Sequence, residues 1–250
     1  MEAATIAIIV IVLVILYYLY SWLTSKKSIL ASYLVASPNG KDGSDFKPNK
    51  KIPANKISRQ NGSNNFTYSF WLFIDDWNYR FGEEKTVFVR HGKTSSDSSP
   101  KVSLGTYENN LNIALSTYAG SDATGESHNC NISNIPLQKW FNVIISVYGR
   151  TLDVYLDGKL VRTCVLPGTA KVDSGKPIVL FPGSSGGDSD AGFGGKLSNF
   201  EYWPNATNPQ EAWNIYRQGY GSNIFGNFLD KYRLQVSFLA DGVEKSSFQI

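Results

Sequence analysis

Charge is scarce in this chain: Asp, Glu, Lys and Arg together make up 18% of 250 residues. Sulfur is scarcer still, with one Met and two cysteines, Cys130 and Cys164. Two cysteines exclude a disulfide-dense mini-protein, and no Cys-x-x-Cys pair offers a zinc site. The two histidines, His91 and His128, lack metal-ligand spacing and read as surface or hydrogen-bonded side chains. No internal repeat is present. What is abundant points the other way. Aromatics reach 14%, Gly counts 22, and 42% of residues are hydrophobic. That apolar content excludes disorder over the whole chain. Aromatic and glycine richness with few charges favours a β-rich fold over a helical bundle.

The longest uncharged stretch is the N-terminal one. From Ala3 to Ser25 no side chain is charged. Its Ile, Val and Leu residues number twelve between positions 3 and 23, contributing about −5 kcal/mol toward insertion into a bilayer. The run is apolar on every side and has the ~20-residue length that spans a ~30 Å hydrocarbon core. Ile6, Ile9, Leu13 and Leu16 represent its lipid-facing body, while Tyr20 and Trp22 sit where amphipathic rings favour the headgroup region. A cleaved signal peptide is the competing reading, and Glu2, the length and the bulky residues at the would-be cleavage site weigh against it. Lys26 and Lys27 follow directly. The positive-inside rule then puts the C-terminal domain on the cytosolic side. On that side the sequons at Asn61, Asn65, Asn131 and Asn205 stay unmodified, and Cys130 and Cys164 are expected to be free thiols rather than a disulfide.

The charge distribution agrees with an anchored layout. Residues 1–59 hold eight basic and three acidic side chains, against 16 and 18 in the remainder. A basic stem on a nearly neutral domain suits anionic lipid and argues against nucleic-acid binding. Residues 36–65 are rich in Ser, Pro, Asn, Gly and Lys and read as a linker, with 29–36 either a helical continuation or a short strand.

From Phe66 the pattern becomes that of strands. Phe66, Tyr68, Phe70, Leu72 and Ile74 share one face by period-2 alternation. Further strands are expected at 86–90, 101–107, 111–117, 141–148, 151–156, 160–166, 178–181 and 196–203. Asp157-Gly158 between apolar runs is a strong hairpin signal. One helix interrupts the strands: Asn208 caps it, Pro209 opens it, Glu211 closes a capping box and Gly219 ends it. A last hairpin is expected on either side of Asp241-Gly242.

Three stretches together resemble the laminin-G-like branch of the concanavalin A-like lectin/glucanase superfamily. They are the aromatic strand from Phe66, the Trp140 strand with its Asp157-Gly158-Lys159 hairpin, and Gly192-Phe-Gly-Gly195 leading into Tyr202 and the capped helix. The resemblance covers about residues 60–220 and implies an all-β, antiparallel jelly-roll sandwich with one short helix, here preceded by a single transmembrane helix. The full layout, with Asp76-Trp77-Asn78-Tyr79-Arg80-Phe81, is also similar to membrane-anchored minor capsid proteins of large nucleocytoplasmic DNA viruses. That likeness implies a virion protein between an internal membrane and the capsid shell, with lipid and capsid proteins as partners.

Glucanases of the superfamily carry Glu-x-Asp-x-Glu on one strand, and this chain has none. Retaining hydrolysis needs two carboxyl groups about 5–5.5 Å apart, whereas the adjacent Glu83 and Glu84 would point to opposite faces of a strand. No enzymatic activity is therefore expected. Lectin-like relatives bind calcium on loop rims, and Asp188 and Asp190 in the glycine-rich stretch 183–192 are the candidate ligands. A flexible loop with two solvated acids explains the same residues. No cofactor is otherwise expected. Trp77, Tyr79, Arg80 and Phe81 combine aromatics with Arg outside a strand, as interface anchors do. Packing under a loop is the competing account. Asp157 reads as a turn residue. The chain therefore divides into an anchor (1–27), a basic stem (28–65), a sandwich (66–220) and a C-terminal hairpin extension (221–250). The expected role is a non-enzymatic, membrane-tethered module that docks protein, with a membrane-tethered carbohydrate-binding module as the alternative.

Overall fold

The computed structural model describes residues 13–15, 17, 29–31, 50–57, 62–92, 97–118, 127–173, 175–182, 192–220, 235–240 and 243–249. In chain order the strands are β1 (Ile29–Ala31), β2 (Lys50–Ile52), β3 (Phe66–Asp76), β4 (Lys85–His91) and β5 (Ser98–Leu104). Then come β6 (Leu111–Ser116), β7 (Ser127–Ile132), β8 (Trp140–Tyr148), β9 (Thr151–Leu156) and β10 (Lys159–Val165). The last are β11 (Ile178–Leu180), β12 (Gly194–Trp203), β13 (Gln235–Ala240) and β14 (Val243–Gln249), with a helix α1 (Pro209–Tyr216) after β12. Two six-stranded sheets form, in the orders β1-β12-β3-β8-β9-β10 and β2-β11-β4-β5-β6-β7, and every pairing within them is antiparallel.

The core lies between these sheets and follows from alternation along each strand. Phe66, Tyr68, Phe70, Leu72 and Ile74 of β3 meet Phe141, Val143, Ile145 and Val147 of β8 on the inner face. The second sheet contributes Val102, Leu104, Leu111, Ile113 and Leu115. Each such side chain stabilises the fold by about 1.5–3 kcal/mol relative to exposure. The outer face of the first sheet is covered as well. Ala212 and Ile215 of α1 pack on Ile144 and Tyr155, and Trp71 stacks on Tyr216 at 5.6 Å. This second layer explains why Trp71 and Asn142 are buried although they point away from the main core.

The helix starts as its sequence dictates. The Asn208 side chain accepts from the Glu211 amide, and the Glu211 carboxylate accepts from the Asn208 amide. The hairpin β9–β10 turns at Asp157 (φ 49°) and Gly158 (φ 73°), and the Asp157 carboxylate accepts from the Asn142 amide at 2.9 Å.

Three features differ from or extend the sequence reading. Cys130 and Cys164 are not free thiols but a disulfide, with Cα atoms 6.1 Å apart. The physical reason is topological. Cys130 lies on the edge strand β7 and Cys164 on the edge strand β10, and these edges border the same open side of the sandwich. Next, β1 and β2 draw residues from the segment read as stem into the two sheets, and β7 is a strand that the alternation did not announce. Finally, β13 and β14 pair with each other in a separate two-stranded sheet. Residues 13–15 and 17 are helical, and among the described residues no helix is long and apolar enough to cross a membrane. Ile6, Ile9, Leu16, Tyr20, Trp22, Lys26 and Lys27 lie outside the described residues, as do Asp188 and Asp190.

Candidate functional site

At one end of the sandwich three connections converge: β3–β4 (77–84), β5–β6 (105–110) and β7–β8 (133–139). Their backbones are tied together. The Gly82 amide donates to the Thr106 carbonyl at 3.0 Å, and the Ile135 amide donates to the Asn109 carbonyl at 2.9 Å. Asn109 returns a side-chain hydrogen bond from Nδ2 to the Ile135 carbonyl at 3.0 Å. The middle connection is a tight turn in which the Gly105 amide donates to the Asn110 carbonyl. A Cβ on Gly105 would lie 2.4 Å from the Glu108 carbonyl oxygen, so this backbone admits only glycine there without shifting.

Of the four residues that read as interface anchors, the structure brings two to this rim. Trp77 donates from Nε1 to the Tyr107 carbonyl at 3.1 Å, and Phe81 meets the Tyr107 ring edge-to-face at 5.5 Å. Both rings of that pair stand in solvent, Phe81 57% and Tyr107 66% exposed. Tyr79 is half-buried with its Cβ beside Gly194, and Arg80 fixes the loop through Glu83 at 2.9 Å and the Gly192 carbonyl.

Two grooves flank the β5–β6 turn. One, about 360 Å³, is lined by Glu84, Thr106, Tyr107, Glu108, Asn110 and Asn112 among others. The other, about 560 Å³, adds Trp77, Asn109, Ser133, Asn134 and Leu137 to the shared Tyr107, Glu108 and Asn110. Both are in the size range of small-molecule sites, about 300–1,000 Å³. Amides dominate the polar lining. Asn131 of β7 extends the row by donating from Nδ2 to Asn112 Oδ1 at 2.6 Å.

The electrostatics separate the two adjacent glutamates. Glu83 pairs with Arg80. Glu84 accepts from Lys101 at 2.6 Å and from Ser103 at 2.7 Å. Burial alone would raise the Glu84 pKa, but hydrogen bonds from Lys101 and Ser103 with the charges of Lys101 and Arg80 outweigh it and hold the carboxyl below its ordinary range. Beneath the rim, Lys85 is buried, its Nζ 4.5 Å above the Trp77 ring and in contact with the Gly105 carbonyl. Burial, then the charge of Arg80, lowers its pKa, against a weaker opposing pull from Asp76 and Glu83.

Sequence reasoning missed Tyr107, Glu108, Asn109, Asn110 and Asn134. They occupy turns where no periodicity operates; their one signal was the clustering of asparagines at turn positions. Asp157 serves the hairpin and does not line either groove. Among the described residues no three His, Cys, Asp or Glu side chains cluster as a metal site.

The sequence profile of the concanavalin A-like lectin/glucanases superfamily matches residues 47–212. No curated protein sequence matches the chain. Among solved structures it is similar to the binding domain of botulinum neurotoxin DC in complex with rat synaptotagmin II, at 16% identity and TM-score 0.46, covering 62% of this chain and 35% of that one. It is similar to the botulinum neurotoxin serotype D binding domain at 16% identity and TM-score 0.48, covering 61% and 36%. The structure describing cell entry of botulinum neurotoxin type C through two ganglioside molecules is 18% identical, with TM-score 0.45, covering 62% and 36%. The chain thus spans about a third of the length of these neighbours.

Proposed function

The chain belongs to the concanavalin A-like lectin/glucanases superfamily, and from that membership we propose that it is a non-enzymatic recognition module, held at a membrane by its N-terminal segment, whose rim grooves take a carbohydrate ligand. The observation that carries this reading is the lining of the grooves. Upright aromatic rings beside amide and carboxylate groups supply stacking faces and paired donors and acceptors, the chemistry that a polyhydroxylated ring requires. The carboxylates argue for binding over hydrolysis. A glycosidase acid needs a raised pKa, whereas Glu84 is held low and ion-paired and Glu83 is tied to Arg80. On sequence alone this carbohydrate reading ranked second; the groove chemistry moves it forward. Full-length protein in detergent, applied to a glycan array, tests it: reproducible binding is expected, and a blank array sinks it.

A second reading is a minor capsid protein that links an internal membrane to a capsid shell. The N-terminal apolar run, the basic flank and the likeness around Asp76–Lys85 favour it. The two readings differ in orientation. Lys26 and Lys27 favour a domain on the cytosolic side, while the inter-sheet disulfide favours an oxidising face, such as a cell or virion exterior. Protease added to sealed membranes, followed by mapping of Cys130 and Cys164 without reductant, separates them. Crosslinking on intact particles that links the rim to a shell protein would favour the capsid role.

A further inference from the structure

The two grooves are not independent. They share Tyr107, Glu108 and Asn110, and the turn carrying these residues is the ridge between them. The ridge is stiff. The Asn110 amide donates to the Glu108 carbonyl, Gly82 and Trp77 hold the carbonyls of Thr106 and Tyr107, and no Cβ fits at Gly105. Phe81 braces the Tyr107 ring on its edge, which leaves the ring standing in solvent at the crest. A ligand lying in both grooves must therefore cross Tyr107.

The ionisable groups in the lining are of one sign. Glu84 and Glu108 line the grooves, and among the described residues no Lys, Arg or His does. Glu84 is offset by Lys101. Glu108, next to the crest, accepts at Oε2 from the Asn110 side-chain Nδ2 at 2.8 Å, and no described cation pairs with it. Its second oxygen and the surrounding amides suit hydroxyl groups. A carboxylate or sulfate on the ligand would meet a like charge at the point where the ligand must pass.

We propose that the two grooves form one site for an uncharged oligosaccharide draped over Tyr107, and that Glu108 turns away anionic sugars. The inference rests on the carbohydrate reading above and adds its ligand class and its discriminating residue.

The test uses full-length protein in detergent with paired probes: uncharged oligosaccharides and the same backbones carrying sialic acid or sulfate. Uncharged probes are expected to bind about tenfold or more tightly than their anionic counterparts, the size of a like-charge penalty at a ligand site. Tyr107→Ala should abolish capture, and Glu108→Gln should shrink the uncharged-to-anionic ratio toward unity. Thermal unfolding matching wild type shows that both exposed-site variants fold. Anionic probes bound as tightly as uncharged ones, with Tyr107→Ala still abolishing capture, would overturn the proposed selectivity while leaving the carbohydrate reading intact. Binding untouched by Tyr107→Ala would overturn the site. Failure of every probe would remove the carbohydrate reading itself.

Discussion

Arg90 is 1% exposed, inside the sandwich, with Nη1 3.4 Å from the Tyr68 hydroxyl and its guanidinium 5.5 Å from the Tyr202 ring centre. Among the described residues, phenols rather than a carboxylate face it, and burial first of all drives the Tyr68 pKa upward. Arg90→Ala would leave a cavity and a buried hydroxyl with one partner fewer, and should cost about 3 kcal/mol. Arg90→Met, which keeps most of the volume, should cost less than half of that. Urea unfolding of both variants gives the comparison. Lys85 makes a pH-dependent prediction. Its folded pKa lies below the ordinary 10.5. Between those values the unfolded chain binds more protons, so this group makes stability rise with pH there and costs stability below. Lys85→Met should remove that rise, so the wild-type-minus-variant difference in unfolding midpoint should become more positive as the pH is raised toward 10.5. Neither burial was legible in the sequence, because Lys85 and Arg90 sit in a strand whose neighbours alone decide which charges are enclosed.

At the scale of elements, legibility tracked local chemistry. β3 announced itself by five apolar residues at alternate positions, and α1 by the spacing of Asn208, Pro209 and Glu211. Asn208→Ala should cost about 1 kcal/mol through loss of the capping pair, measurable as a lower melting temperature with an unchanged core. Gly158 couples the β9–β10 hairpin to this helix. A Cβ there would lie 3.0 Å from Trp213 Cε3 and from Tyr216 Cβ, on a backbone with φ 73°. Gly158→Ala should therefore destabilise by about 3 kcal/mol, more than the roughly 1–2 kcal/mol typical of left-handed backbone alone, because the helix must shift as well. β7 escaped notice because Ser127-His128-Asn129-Cys130-Asn131-Ile132 offers two inward apolar residues, Cys130 and Ile132, and a polar outer face. β2 is too short for any period to register. The rim was half legible for the same reason. Trp77 and Phe81 stood out by type, while the asparagines and Tyr107 gain meaning when three turns separated by tens of residues converge.

The whole molecule holds the feature least visible beforehand. The Cys130–Cys164 bond closes a loop of 34 residues and joins one sheet to the other. Constraint of the unfolded chain by such a loop contributes about 4 kcal/mol on the chain-entropy account. The double variant Cys130→Ser/Cys164→Ser should lose roughly that much in urea, and wild type with reductant should match it. An unchanged midpoint under reduction would mean that the thiols are unpaired in solution. The pairing eluded the sequence because it depends on which two edges end up side by side, a global property of strand order.

That strand order also gives the body a spine and a fore-edge, like a bound book. The covalent bond stitches β7 to β10 on one side, and on the opposite side the boards are finished by β1 and β2, three residues each. Both fore-edge strands come from the segment nearest the N-terminus. Each of these strands pairs with one neighbour alone over three residues, so tension arriving from that end meets β1 and then β2 before it loads the stitched side. Under such a load the chain gives up these two short strands first and keeps its covers joined.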